Sequence, residues 1–319
     1  MNASIEVLSS GKPLKTKSRW RQVVVITLGA MALYVVARRL PTGTNLSHMD
    51  FRAGAGSIEF CDPANPQFMP VVDVRSPVEM TLASENQASV LQEVPVVLTL
   101  KTSTGKPVAP EDLLVVHTQK LHLLIVDPTL TDYQHVHPRP GQRAGDWLFS
   151  FTPKRAGRYR VFADFTPAAT ARGLYASADL EVRAESERGE VVVSESNRSP
   201  ENWVYEGHGY RFSLKPSTGQ IRAGRGVDLT FTVDRSDGGA VPMQPVMGAY
   251  AHLVAFDAAR SGFAHLHPNE IDLSRLPDPR QPKLTFKLTI PRAGRYVIWA
   301  QLNLGGHEIF APFWFEVRL

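Results

Sequence analysis

The sequence predicts an all-β fold, in which two tandem antiparallel β-sandwiches follow one N-terminal transmembrane helix. Three observations lead to this prediction. Short apolar or alternating runs recur after residue 78, one pattern of histidines occurs twice, and a single long apolar segment lies near the amino terminus. A chain of 319 residues is long enough for two domains of ordinary size, each with its own hydrophobic core.

The predicted transmembrane helix is built around residues 23–37, an uncharged and mostly apolar segment that begins after Arg21 and ends before Arg38. The segment is short for a membrane span, but Trp20, Gln22 and snorkelling arginines extend it to roughly 18–20 residues. A cleaved signal peptide is the alternative, yet no small-residue cleavage site follows the segment. Basic residues are more numerous before the segment than after it, so the amino terminus is expected in the cytoplasm and residues 40–319 outside.

Charge is unevenly distributed along the chain. Residues 1–39 contain seven Lys and Arg residues and one acidic residue, which leaves 28 of the 35 basic and 30 of the 31 acidic side chains for residues 40–319. A nucleic-acid groove requires a local excess of positive charge that this slightly acidic body lacks. The charge pattern therefore argues against nucleic acid as a partner.

Turn-rich and charged stretches divide the chain. The predicted organisation is a cytoplasmic tail at residues 1–19, the transmembrane anchor at 20–39, a linker at 40–77, the first sandwich at 78–184, an interdomain linker at 185–203 and the second sandwich at 204–319. Alternating or apolar runs at 94–100, 121–126, 227–233, 251–256 and 284–290 are typical of short strands. Cys61 is the single cysteine, so it forms no intramolecular disulfide; it is an inert buried thiol, a reactive group or a partner in an intermolecular disulfide.

One histidine pattern is repeated at an offset of 130 residues. His122, His135 and His137 in the first half match His252, His265 and His267 in the second half. A second landmark, Ala-Gly-Arg-Tyr at 156–159, returns at 293–296 with an offset of 137. The extra residues fall in the region 269–283, where a longer surface loop is expected in the second copy. Both observations indicate a tandem duplication.

The repeated histidines are candidate metal ligands. Residues two apart in a strand face the same side, so His135 and His137 project together, as do His265 and His267. If Asp127 and Asp132 close a four-residue loop, the third histidine lies directly across the hairpin, within reach of one ion. Three imidazoles on a hairpin form a platform for copper or zinc with one open position. The predicted metal ligands are His122, His135, His137, His252, His265 and His267, and no catalytic residue is predicted.

Several alternatives remain open from the residues alone. The histidines could form only local hydrogen bonds at strand ends. His117 and Met247 occupy equivalent positions, and with Met243 they could add a ligand that favours Cu(I), although methionine in an apolar strand is more often core. His208 and His307 have no counterpart in the other copy and are expected to face solvent. A metal-dependent hydrolase or hydrase would use a similar three-histidine set, but the sequence contains no further catalytic motif.

The segment from His122 through the His-Val-His-Pro at 135–138, together with the following Ala-Gly-Arg-Tyr, resembles bacterial extracytoplasmic YtkA-like and FixH-like domains. The resemblance covers residues 90–183 and 220–319. It implies immunoglobulin-like or cupredoxin-like sandwiches on the outer side of the bacterial inner membrane, in a periplasmic or extracytoplasmic setting linked to copper handling or oxidase assembly. The expected function is therefore binding or relay of a transition metal, copper first and zinc as alternative. The competing interpretation is a structural or interaction module without metal.

Overall fold

The structure is a computed structural model that describes residues 16–39, 46–47, 49–51, 67–184 and 201–319. It divides into two compact units, Met1–Asn45 and Leu46–Leu319. Cys61 lies outside the described residues, as do most of the linker at 40–77 and residues 185–200 of the interdomain linker.

The described residues of the first unit form the helix α1 (Thr16–Arg39). Its apolar side chains are exposed, with Ile26 at 70% and Leu33 at 71% of their full accessibility. Among the described residues, no helix combines the length and the apolar character that a membrane-crossing helix requires.

The first half of the second unit is an antiparallel β-sandwich. Its two sheets have the strand orders β1-β2-β6-β5 and β4-β3-β7-β8. A short 3-10 helix, Pro110–Asp112, precedes the second sheet. The strands are β1 (Val78–Ala83), β2 (Val94–Thr102), β3 (Leu121–Val126), β4 (Tyr133–Val136), β5 (Arg139–Pro140), β6 (Asp146–Phe151), β7 (Gly157–Phe165) and β8 (Leu174–Val182).

The second half repeats this sandwich with small additions. One sheet has the order β16-β12-β10-β9, and the other has the order β11-β18-β17-β14-β15, with β13 also paired to β17. The strands are β9 (Val204–Gly207), β10 (Tyr210–Pro216), β11 (Ile221–Arg222), β12 (Gly226–Arg235), β13 (Met243–Gln244), β14 (Ala251–Asp257), β15 (Phe263–Leu266), β16 (Lys283–Thr289), β17 (Gly294–Leu304) and β18 (His307–Arg318).

The two halves share one topology. The row β4-β3-β7-β8 in the first domain has the same order as β15-β14-β17-β18 in the second, and β1-β2-β6 corresponds to β10-β12-β16. The offset changes from 130 to 137 between β15 and β16, where the loop through Asn269 and Gln281 is longer than its counterpart. The predicted all-β fold with an N-terminal helix and a tandem duplication is confirmed.

Strand β3 is buried on both of its faces. All six of its residues are buried, whereas β2 alternates between buried and more exposed positions. Leu123 and Ile125 point into the core of their own sandwich, and Leu124 and Val126 belong to a separate core cluster. That third cluster draws residues from both domains, so the outer faces of the two histidine-bearing sheets pack against each other.

Aromatic side chains dominate the packing between the domains. Phe162 stacks on Phe256 with ring centroids 6.0 Å apart, and Tyr133 lies 5.4 Å from the same ring. The indole Nε1 of Trp299 donates a 3.3 Å hydrogen bond to the backbone oxygen of Leu130 across the interface. Buried aromatic pairs add about 0.5–1.5 kcal/mol each beyond their apolar area. The interface is thus a hydrophobic core, and the histidines lie on the same sheet faces.

The lead-in to the first domain is paired with the second. Met69 exchanges backbone hydrogen bonds of 2.8 and 3.1 Å with Phe263, and Val72 donates one of 2.8 Å to Ser261. These bonds cover the edge strand β15, which would otherwise present unpaired backbone groups. Gly262 lies under this crossing, where an added Cβ would come within 1.8 Å of the Met69 backbone oxygen.

We expect Gly262→Ala to destabilise the protein strongly, by about 3 kcal/mol or more, because two backbones would have to separate to admit one methyl group. Thermal unfolding measures the effect. Gly219→Ala is the matched control, since an added Cβ there has no neighbour within 4 Å. Equal melting temperatures for the two variants would show that the lead-in segment is not held against β15.

Candidate metal centre

The register of each hairpin determines which histidines meet. In the first domain Leu123 pairs with Val136, so the next pair along the ladder is His122 with His137. In the second domain Leu253 pairs with Leu266, which brings His252 opposite His267 in the same way. These are the cross-strand partners that the sequence predicts.

An aspartate at the equivalent position closes each hairpin loop. The Asp127 carboxylate accepts hydrogen bonds from the backbone N–H groups of Thr129, Thr131 and Asp132 at 3.0, 2.7 and 2.9 Å. Asp257 accepts a bond of 2.6 Å from the N–H of Ser261 at the equivalent place. The aspartate repeated in both copies therefore sets the loop that holds the ladder in register.

We expect Asp127→Ala to lower the free energy of unfolding by about 3 kcal/mol, because it leaves several N–H groups of a tight loop without an acceptor. The thermal midpoint should fall, and the hairpin amides should exchange faster with solvent hydrogen. Asp237→Ala removes an exposed carboxylate that accepts a bond from the Gly239 N–H and pairs with Arg235 at 3.0 Å. This variant is the control and should change the midpoint little, because exposed ion pairs contribute little to stability. An Asp127→Ala protein as stable as the control would contradict the assigned loop.

The first triad, His122, His135 and His137, is compact. Nδ1 of His122 lies 3.2 Å from Nε2 of His135 and 3.2 Å from Nε2 of His137. Ring centroids within the triad are 4.8–5.4 Å apart. Because an imidazole nitrogen binds zinc at about 2.0–2.1 Å, three rings at such separations can share one ion.

The second triad, His252, His265 and His267, repeats this arrangement. Nε2 of His265 lies 3.3 Å from Nδ1 of His252, and the ring centroids are 4.7–5.5 Å apart. Nε2 of His267 is buried and has no hydrogen-bond partner among the described residues. In each triad the candidate ligand nitrogens all lie within 4.8 Å of one another.

Backbone and side-chain acceptors orient the rings. Nε2 of His122 lies 3.0 Å from the carbonyl oxygen of Val116, and Nε2 of His252 lies 3.0 Å from that of Val246. A carbonyl oxygen only accepts, so in both histidines Nε2 carries the hydrogen and Nδ1 keeps its lone pair. These Nδ1 atoms are the ones that face the other members of each triad.

The second histidine of each triad is oriented by the opposite domain. Nδ1 of His135 lies 2.8 Å from Oε1 of Gln301, whose amide nitrogen donates to Glu308 at 3.1 Å. Nδ1 of His265 lies 3.1 Å from Oδ2 of Asp164. Asp164 in turn pairs across the ladder with His122, and Gln301 with His252. Each domain thus supplies one hydrogen-bond acceptor to a histidine of the other domain. Because Nδ1 carries the hydrogen in His135 and His265, Nε2 of each ring keeps its lone pair.

The consequence is an unusual contact inside each triad. Nδ1 of His122 and Nε2 of His135 face each other at 3.2 Å, and the hydrogen bonds behind both rings leave each of these atoms with a lone pair. His252 and His265 repeat the contact at 3.3 Å. Two lone pairs at this separation repel each other, and a cation between them turns the repulsion into coordination.

The environment keeps the imidazoles neutral. Burial is the largest cause that lowers the pKa of all six triad histidines, and it lowers the pKa of His252 to about 4. Neighbouring histidines lower the pKa of His135 and His265 further. Neutral imidazole is the form that binds metal ions.

The triads also lie close to each other. The ring centroids of His135 and His265 are 5.5 Å apart, and those of His122 and His265 are 5.7 Å apart. A seventh histidine, His117, is exposed. Its ring stacks on that of His267 with centroids 3.6 Å apart. Rings of one triad are 4.7–5.5 Å apart, so this closer stack covers His267 rather than adding a ligand beside it.

Three other residues considered from the sequence, Met243, His208 and His307, belong to neither triad. Met243 belongs to the core of the second domain, and His208 and His307 are exposed, as expected. His117 and Met247 share a left-handed backbone, with φ of 49° and 48°. Sequence reasoning missed Asp164 and Gln301. A usable signal existed, because both follow the repeated Ala-Gly-Arg-Tyr at the same distance, on the strand next to the first histidine of each triad.

Comparison with known proteins gives a family and two weak structural alignments. No curated protein matches the chain. Two solved structures align over 77% of it: red sea bream transglutaminase, at 8% identity and a TM-score of 0.24, and a protein described as membrane anchored from Corynebacterium diphtheriae, at 10% identity and a TM-score of 0.22. The alignments span 32% and 59% of those chains. The family described as a domain of unknown function, DUF8832, matches residues 73–183 and again residues 204–318. The chain therefore belongs to the DUF8832 family and contains two copies of its domain.

Proposed function

We propose that this protein binds a transition metal through its two triads, as a store or a relay, with copper as the first candidate and zinc as the alternative. The observation that carries the proposal is the contact between two imidazole lone pairs in each triad, at 3.2 Å in the first and 3.3 Å in the second. Imidazole suits both copper and zinc, whereas magnesium and calcium prefer oxygen ligands.

The competing function is a metal-free interaction module of two immunoglobulin-like domains. The face that carries the histidines is already covered by the other domain, through the shared aromatic core around Phe162 and Phe256. Histidines with a purely structural role would be expected to donate to one another, and Nε2 of His137 at 3.2 Å can donate to Nδ1 of His122. Nε2 of His135 and Nε2 of His265 cannot donate in this way, because the acceptors behind these two rings hold their hydrogens on Nδ1. The lone-pair contact that remains in each triad makes metal binding the stronger interpretation.

The proposal includes attachment to a membrane through α1 and a position of the body outside the cytoplasm, in the bacterial inner membrane. The support is the apolar segment within α1, the basic residues on its amino-terminal side and the resemblance to YtkA-like and FixH-like domains. A protein partner in copper handling or oxidase assembly belongs to the same proposal. Extraction of membranes with alkaline carbonate tests the attachment, because a protein bound only at the surface is released.

The test of metal binding uses the untagged full-length chain in detergent, titrated with Cu(I) without oxygen and separately with Zn(II). We expect binding tighter than about 10 μM, equivalent to roughly −7 kcal/mol. His122→Ala combined with His252→Ala should abolish it, because each of these rings supplies the Nδ1 that faces its triad.

His208→Ala combined with His307→Ala is the matched control, since both side chains are exposed and lie outside the triads. This control should bind metal like the unmodified protein. Failure of the unmodified chain to bind either ion at 10 μM would leave the interaction module as the function.

A further inference from the structure

We propose that the two triads form a single two-ion centre across the domain interface, which holds two univalent Cu(I) ions or one tightly bound divalent ion, with the divalent ion in the second triad beside Asp164. This inference rests on the metal-binding function proposed above. It further states that the charge of the ion decides whether one or two ions bind, and that a divalent ion fills the second triad first. Neither triad determines these properties by itself.

The first step of the argument is distance. The rings of His135 and His265 belong to different triads, and their centroids are 5.5 Å apart. A coordinated ion lies about 2 Å from its ligand nitrogen, which puts the two ions within about 12 Å of each other. The space between them is filled by imidazole rings, of which His135 is 8% exposed and His252 is fully buried.

The second step is charge. Six neutral imidazoles contribute no net charge, and Asp164 is the one carboxylate that is hydrogen-bonded to a triad histidine in the described part of the chain. The exposed carboxylate of Glu308 is hydrogen-bonded to the neutral amide of Gln301 and not to a histidine. The buried centre therefore supplies one negative charge to two ions. Two Cu(I) ions leave a net charge of +1, as does one divalent ion, whereas two divalent ions leave +3.

The third step is the size of the repulsion. Coulomb energy scales with the product of the charges, so two dications repel four times as strongly as two monocations at the same separation. Even at 12 Å and with the dielectric constant of water, the repulsion lowers the second binding constant of a dication about tenfold, against less than about twofold for a monocation. A less polar interface enlarges both effects.

The fourth step is the difference between the two triads. His265 has a carboxylate behind its Nδ1 at 3.1 Å, whereas His135 has an uncharged amide oxygen at 2.8 Å in the equivalent position. A carboxylate behind a ligating histidine makes the imidazole a stronger ligand, and loss of such a partner costs about 10–100-fold in metal affinity. A single divalent ion should therefore occupy the second triad.

The experiment measures stepwise binding to the full-length chain in detergent, at about 10 mM salt, where screening is weak. Zn(II) serves as the divalent probe and Cu(I), without oxygen, as the univalent one. His137→Ala disables the first triad and His267→Ala the second, and neither substitution removes the bonds to Gln301 or Asp164. These two variants give the intrinsic affinity of each remaining triad, and circular dichroism confirms that both are folded.

For the unmodified protein we expect the first Zn(II) to bind as tightly as it does to His137→Ala. The second Zn(II) should bind to the first triad at least about tenfold more weakly than Zn(II) binds to the same triad in His267→Ala. Two Cu(I) ions should bind with stepwise constants within a few-fold of the intrinsic values. Asp164→Asn, which keeps the shape and an acceptor oxygen, should weaken the first Zn(II) about 10–100-fold.

The outcomes separate this inference from the proposed function. If both Zn(II) ions bind with their intrinsic affinities, the triads are independent and the two-ion centre is wrong, while metal binding stands. If the first Zn(II) prefers the triad that remains in His267→Ala, the assigned order is wrong. If neither ion binds to any variant, the proposed function itself fails.

Discussion

Replacing His135 and His137 with alanine should reduce the Cu(I) content of the full-length protein from two ions to one. The substitutions remove two of three ligand nitrogens from the first triad, and a single remaining imidazole, His122, cannot hold the ion at micromolar concentration. The second triad keeps its own ligands and its bond to Asp164 at 3.1 Å, so its ion should remain. Metal analysis after removal of unbound ions measures the change.

Two controls make this result specific. His208→Ala combined with His307→Ala should retain both ions, because both side chains are exposed and neither belongs to a triad. His265→Ala combined with His267→Ala should also leave one ion, now in the first triad. Loss of both ions from either triad variant would mean that the centre assembles only as a whole. Retention of both would mean that the ligands lie elsewhere.

The sequence was sufficient to predict the hairpins that carry the histidines. The offset of 130 residues, the alternation of side chains in a strand and the loop between Asp127 and Asp132 together determine the register, and the ladder of the structure agrees. These are local features, because each hairpin is closed by about six consecutive residues. The fold class followed from the same short-range patterns.

The relation between the two domains could not be predicted from such patterns. Strand β3 is buried on both faces, and an apolar run of this kind is equally compatible with a sandwich core and with an interface. The sequence therefore predicted two separate metal sites, whereas in the structure the ring centroids of His135 and His265, one from each triad, are 5.5 Å apart. The repeat could have marked Asp164 and Gln301 as equivalent positions, but it could not show that each orients a histidine of the other domain.

Lowering the pH from 7 to 5 should strongly destabilise the metal-free protein. Burial lowers the pKa of the six triad histidines below 6.5, and for His252 to about 4. In the unfolded chain these groups titrate near 6.5. Between the two values the unfolded state binds more protons than the folded state, so the free energy of unfolding is greatest above pH 6.5 and decreases as the pH falls. Each such histidine contributes up to about 1.4 kcal/mol per pH unit.

Thermal unfolding in chelator at a series of pH values measures this dependence. His252→Gln should make the stability decrease less steeply below pH 6.5, because it removes one group whose pKa differs between the two states. His208→Gln combined with His307→Gln, at two exposed positions outside the triads, is the control for the substitution itself. A melting temperature that stays constant between pH 7 and 5 would contradict the burial of the triads. Because the same lone pairs bind protons and metal, added Zn(II) should stabilise the protein most at neutral pH and progressively less as the histidines become protonated.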